Sequence, residues 1–268
     1  MRCVTQGECA VLHLGESLAF TRRAGSLASR GLRALRRLGP AGFASLVGQN
    51  VQLLLSGRAD EHRFVYDDAW DRAHGVDTAG TVAVCEIHAP IAAKADAARY
   101  EPTPPECFSF LIEQALPADR AGYSFIDLGS GKGRVAMLAA LAGFRKVVAV
   151  EFGADLHAAA AENFRRFAAV RDVAPIAAVH GDARGHRWEM EPTVCFLNNP
   201  FSGDVLDSVL DSIENSLSEA PRPFVLIYYH CNHVDRLDRR DGWQALGRGH
   251  WRSESHHYAL FSWRRDAR

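Results

Sequence analysis

The sequence contains no Cys-x-x-C pair. Its six cysteines, Cys3, Cys9, Cys85, Cys107, Cys195 and Cys231, are scattered over 268 residues. They are too sparse for a disulfide scaffold and lack zinc-finger spacing, so a reducing, cytoplasmic setting is the simplest expectation. No apolar run approaches the roughly 18 residues that suggest a membrane span. A composition of 47% hydrophobic and 24% charged residues excludes a disordered, collagenous or repeat protein. Net charge is almost absent too, at −1, but position matters. Residues 1–58 carry eight Arg against Glu8 and Glu16, a net of +6, and residues 59–268 carry a net of −7. Such a basic head reads either as an Arg-rich helix whose charges sit in water or as a contact for nucleic acid, membrane or an acidic partner. The head vaguely resembles an organelle transit peptide, against which Glu8 and Glu16 count.

In residues 26–38, Leu27, Leu32, Leu35 and Leu38 recur at helical spacing among arginines, and Gly39-Pro40 closes that helix. A second helix is expected over 40–55. Asp67, Asp68, Trp70, Asp71 and Arg72 suggest a polar helix with an aromatic anchor, followed by a Gly75–Gly80 loop. After Pro104-Pro105 the texture changes. Glu106–Leu116 reads as an amphipathic helix. Strand-like runs then occur at Ser124–Leu128, Lys146–Glu151, Ile176–His180, Val194–Leu197 and Phe224–Tyr229, and helical runs at Val135–Ala142, Ala154–Val170 and Val205–Leu217. In the last, Asp204, Asp207, Asp211 and Glu214 form a row that reads as a solvated face. The alternation implies a parallel sheet wrapped by helices. Trp243–Leu246 and Tyr258–Trp263 read as an antiparallel pair joined by a long polar loop.

The strongest local signal is Asp127-Leu128-Gly129-Ser130-Gly131-Lys132-Gly133, which closes the first of these strands and opens a helix. It is neither G-x-G-x-x-G, since Arg134 occupies the third glycine's place, nor a phosphate-binding G-x-x-x-x-G-K-[ST] loop. A nicotinamide redox enzyme is thereby disfavoured. The pattern G-x-G-x-G with an acid two residues ahead resembles motif I of the class I S-adenosylmethionine (SAM)-dependent methyltransferases. For that cofactor the sequence offers Asp127 to the ammonium, Gly129, Ser130, Gly131 and Gly133 as the loop, Glu151 with Phe152 at the second strand end for the ribose hydroxyls, and Asp182 with Ala183 for the adenine.

The fourth strand ends in Asn198-Asn199-Pro200-Phe201, which looks like motif IV of methyltransferases that modify nitrogen. An amide oxygen there can accept from an amine N–H, and an aromatic wall can stabilise a developing cationic nitrogen. Together with Tyr100-Glu101-Pro102-Thr103, these segments resemble the non-SET histone-lysine methyltransferases of the disruptor-of-silencing type over residues 99–230. That resemblance implies a lid at Tyr100, Glu101 and Thr103, cofactor contact at Asn198, and acceptor-side roles for Asn198 and Asn199. Lys132, Pro200 and the N-terminal place of the basic segment depart from the family, so its histone specificity does not carry over. Tyr229 and His230, at the fifth strand end, are candidates for the acceptor pocket, with His230 as a proton acceptor. His230, Cys231, His233 and His256 fit no zinc spacing, and no metal is expected.

The expectation is an α/β protein: a doubly wound, mostly parallel seven-stranded sheet with an antiparallel C-terminal hairpin and an α-helical N-terminal extension. Residues 1–98 would form the basic extension and lid or substrate region, and 99–268 the SAM-binding catalytic domain. The function expected is methyl transfer to a nitrogen, of a protein lysine or a small-molecule amine. An oxygen or nucleic-acid acceptor and a non-catalytic SAM-binding protein are the alternatives; nucleic acid is not favoured as a partner.

Overall fold

A computed structural model describes residues 69–90, 94–116 and 119–264. The chain divides between residues 62 and 63, and all described residues lie on the C-terminal side. The two helices expected before residue 56, the basic head and the N-terminal extension up to residue 68 fall outside the described residues. Helix α1 (Ala69–His74) precedes α2 (Pro105–Ala115), and strands and helices then alternate. The order is β1 (Ser124–Leu128), α3 (Arg134–Leu141), β2 (Lys146–Glu151), α4 (Ala154–Ala168), β3 (Ile176–His180), β4 (Thr193–Asn198), α5 (Gly203–Glu219), β5 (Phe224–Tyr229), α6 (Val234–Asp238), β6 (Trp243–His250) and β7 (His257–Trp263). The seven strands form one sheet in the order β3-β2-β1-β4-β5-β7-β6, with β1 to β5 parallel and β7 antiparallel to both neighbours. This is the mostly parallel sheet with an antiparallel terminal pair that the sequence pattern predicts.

Alternation along the strands builds two cores. Phe125, Val194, Phe196, Val225, Ile227 and Tyr229 enter one core with α2, α3 and α4. Ile126, Leu128, Cys195, Leu197, Leu226 and Tyr228 enter the other with α5 and α6. Both faces are covered, which is why the central strands read as unbroken apolar runs. Inside the first core the rings of Phe108 and Phe125 meet edge-to-face at 5.8 Å.

Two expectations are corrected. The acidic row on α5 is not merely solvated. Arg240 pairs with Asp207, Asp211 and Glu214 at 3.0, 2.6 and 3.1 Å, and Arg236 pairs with Asp204 and Asp207. Arg236 lies on α6 and Arg240 just past its end, and both reach the same acidic face of α5. Nor is the final connection a long loop: β6 runs on to His250 and β7 begins at His257, with ladder pairing past a register shift between Ala245 and Gly247. Among the described residues, β3 and β4 are joined by one 3-10 turn (Ala183–Gly185) rather than a helix.

Candidate active site

In an open α/β sheet, ligands bind beyond the carboxyl ends of the strands, where the chain reverses its winding. Here β1 is followed outward by β2 on one side and β4 on the other, so that point lies at the loop after β1. A cleft with about 960 Å³ of empty space, partly open to solvent, lies there. Its wall includes Tyr100, Glu101, Thr103, Asp127, Gly129, Ser130, Gly131, Glu151, Phe152, Asp182, Ala183, Asn198, Pro200 and Phe201. Residues that were separate strand-end motifs in the sequence thus share one wall.

The glycine spacing has a steric cause. At Gly129 (φ +80°) a Cβ would stand 2.3 Å from Pro200 Cβ, and at Gly131 (φ +55°) it would stand 2.1 Å from the Tyr100 ring. Positive φ is costly for any residue with a Cβ. Gly129 and Ser130 donate their N–H groups to the Val150 carbonyl at 2.9 and 3.0 Å, which ties the loop to the end of β2. Gly133 caps α3 against the Phe164 ring and does not line the cleft.

Asp127 is 3% exposed. Its Oδ2 has no hydrogen-bond partner, and neither has the buried Ser130 Oγ. Burial, reinforced by the Glu151 charge, holds the Asp127 carboxyl well above the usual carboxylate range. Glu151 accepts from the Gly131 and Gly153 amides at 2.8 and 2.7 Å; burial raises its pKa, and those amides oppose the rise. Asp182 is more open. It accepts from the Arg184 side chain at 2.6 Å and from the Arg184 amide at 2.9 Å, and that guanidinium lowers its pKa. Asp182 therefore caps the turn after β3 as well as lining the cleft.

The cleft beside β4 is roofed by residues 96–103, clipped onto the segment after that strand. Ala98 N–H donates to Pro200 O at 3.0 Å, Ala97 bridges Phe201, and Ser202 N–H donates to Asp96 O at 2.7 Å. Tyr100 donates its hydroxyl to Thr78 O at 2.6 Å. Asn198 makes three side-chain bonds: Nδ2 to Glu101 O (3.1 Å) and to Thr103 Oγ1 (3.2 Å), and Oδ1 with His230 Nδ1 (2.8 Å). Asn199 (φ +41°) turns to the opposite sheet face, where its Oδ1 accepts from Tyr228 at 3.1 Å. Tyr229 is fully buried and bonded to His256. Asn199, Tyr229 and His230 do not line the cleft. Burial, helped by His256, His257 and Arg99, pushes the His230 imidazole down to about 3. It is neutral near pH 7 and a weak base.

Sequence reasoning missed Ile87, Arg134, Leu156 and Arg184, all on the wall. It also missed a strap that holds the loop. Asp71 accepts from the Thr78 and Ala79 amides at 2.6 Å, and the buried Arg134 donates to Thr78 Oγ1 at 2.6 Å and Asp71 Oδ1 at 3.3 Å. Lys132 reaches Asp77 and Ala79 O at 3.3 and 3.1 Å, so it serves this strap. Asn163 completes it, accepting from Asp77 N–H and donating to Asp77 O and Lys132 O. Apart from the Asp71 turn to Thr78 and Ala79, these partners lie more than 30 residues apart in sequence, and no local pattern announces them.

No protein-family model and no curated protein matches the chain. Among solved structures it is similar to a magnesium protoporphyrin IX methyltransferase from Synechocystis, determined with bound SAM (15% identity, 59% of this chain and 76% of that one, TM-score 0.43). It is also similar to a ribosomal protein methylase from Lactobacillus delbrueckii (14% identity, 60% and 78%, TM-score 0.42). A third is a tRNA methyltransferase from B. subtilis (14% identity, 60% and 66%, TM-score 0.45). No helix among the described residues is long and apolar enough to cross a membrane.

Proposed function

We propose that this chain is a SAM-dependent methyltransferase of the class I type that acts on a nitrogen, of a protein lysine or a small amine. The observation that carries the reading is Asp127: a buried carboxylate with an unpartnered oxygen in the cleft wall, beside a glycine loop, calls for a cationic group. The ammonium of a bound SAM supplies one. Glu151, whose oxygens each take one amide, retains lone pairs for ribose hydroxyls, and Ile87, Phe152 and Leu156 offer an apolar bed to adenine. Tyr100, Glu101 and Thr103 serve as the roof.

When bound, SAM brings a methyl group already activated on a sulfonium, so the protein's part is positioning and exclusion of water. Phe201 gives the acceptor side an aromatic face suited to a nitrogen that gains positive charge. Asn198 Oδ1 keeps one lone pair beside its bond to His230. The neutral His230 is not the base; the amine arrives already deprotonated. Residues 99–268 form the catalytic domain in this reading, with 69–98 as strap and lid.

Calorimetry with SAM is the direct test. Wild-type protein binds, and Asp127→Asn, which keeps the shape and removes the charge, binds at least tenfold more weakly. Tritiated-methyl labelling of a lysate lacking the protein then places label in the protein or small-amine fraction. Absence of SAM binding, or label confined to nucleic acid, refutes the proposal.

A further inference from the structure

Asn198 can be oriented without ambiguity. Glu101 O is a carbonyl and can only accept, so the amide nitrogen must face it, and the same nitrogen reaches Thr103 Oγ1. The amide oxygen therefore faces His230 Nδ1 at 2.8 Å, and that nitrogen must carry a proton. A backbone carbonyl thus dictates the tautomer of a histidine 129 positions further along, through one asparagine.

His230 is built for this task. Its backbone is left-handed (φ +48°), and its N–H donates to His257 O at 2.8 Å. Its ring stacks on Tyr229 at 3.9 Å, and Tyr229 is itself anchored to His256. The groups whose charge bears on it are His256, His257 and Arg99. The ring is half-buried and off the cleft wall, while Asn198, Glu101 and Thr103 are on it.

We propose that His230 is a positioning residue: its Nδ1–H locks the Asn198 amide, whose nitrogen in turn clamps residues 101–103 against the bound cofactor. This rests on the SAM reading of the cleft. Without the imidazole donor the Asn198 amide is free to turn over, which would point its oxygen at Glu101 O and open the clamp. No proton leaves His230 in any step.

Asparagine is the diagnostic replacement. Its Nδ2 stands at the same remove from Cβ as the imidazole Nδ1, it donates, and it tolerates positive φ. Leucine has the same branching and no donor. We expect His230→Leu to weaken SAM binding on the order of tenfold, as for loss of a hydrogen bond to a buried polar group, and His230→Asn to recover most of it. The melting temperatures of both variants serve as the folding control. Nitrogen-15 histidine NMR of the wild type requires no variant, and should find His230 protonated on Nδ1 alone at pH 7. A proton on Nε2, a doubly protonated ring, or equal SAM affinities for the two variants would overturn the inference. If wild-type protein does not bind SAM, the functional reading and the cofactor side of the clamp fail together. The tautomer judges the Asn198 lock separately.

Discussion

Replacing Gly131 by alanine separates backbone strain from steric exclusion at the heart of the cleft. An alanine at φ +55° costs roughly 1–2 kcal/mol from conformation alone. Its Cβ would also lie 2.1 and 2.2 Å from two atoms of the Tyr100 ring. That ring cannot swing aside cheaply: Tyr100 is buried, its hydroxyl is held by Thr78 O, and its backbone exchanges two hydrogen bonds with Val82. Overpacking of this kind adds about 1–3 kcal/mol. The total of about 2–5 kcal/mol is a large part of the 5–15 kcal/mol typical of a folded domain. Gly143 supplies the control, since it has φ +86° and nothing within 4 Å of a built Cβ. Gly143→Ala should therefore show the conformational part alone. Urea unfolding of the two variants, with SAM calorimetry on each, reads both parts. Gly131→Ala should be the less stable by about 1–3 kcal/mol and should lose SAM affinity, and trimming Tyr100 to alanine in the same chain should restore some of the stability difference. Equal losses for Gly131→Ala and Gly143→Ala, or unchanged SAM affinity in Gly131→Ala, would refute the argument.

Further outcomes follow from the buried charges. Because burial raises the Asp127 pKa, the unliganded fold keeps a proton that the unfolded chain releases near its ordinary value of about 3.9. This group's contribution to stability is therefore highest at acid pH and declines as pH rises toward the raised pKa. Urea midpoints against pH should show that decline in the wild type and a shallower one in Asp127→Asn; parallel curves would sink the assignment. SAM, which prefers the ionised carboxylate, should bind more tightly as pH rises through the same window and release a proton, seen by calorimetry in buffers of different ionisation enthalpy. Arg134→Met strands the Asp71 carboxylate in the strap, a loss of about 3–5 kcal/mol for one member of a buried pair. Hydrogen exchange at the Thr78 and Ala79 amides, both bonded to Asp71, should quicken, and unchanged protection there would count against the strap.

The sheet was legible because its strands announce themselves locally. Ser124–Leu128, Lys146–Glu151, Ile176–His180 and Phe224–Tyr229 have the bounds their apolar runs predict. Helix α6 escaped notice because Val234–Asp238 is five residues long with three charges, too short for a period to emerge. The far half of β6 was illegible for a different reason. Gly247-Arg248-Gly249 has little strand preference and is recruited by pairing with β7. At the cleft, residues ending strands were readable from their motifs. Beyond the strand end, the left-handed turn at Asn199 (φ +41°) then parts two neighbours: Asn198 reaches the cleft and Asn199 leaves it for Tyr228. Ile87 and Arg134 had no signal at all, since what places them is tertiary contact with segments far away in sequence.

The strap also imposes an order of events on synthesis. Asp71 is made 63 residues before the arginine that neutralises it. At about 5–20 residues per second on the ribosome, that interval is on the order of seconds. During it the carboxylate has only the Thr78 and Ala79 amides and the Thr78 hydroxyl as partners, and no basic partner from the glycine loop. The N-terminal strap is thus made early and docks late. The glycine loop, made in one short burst, gains its outer support only when the older segment folds back upon it.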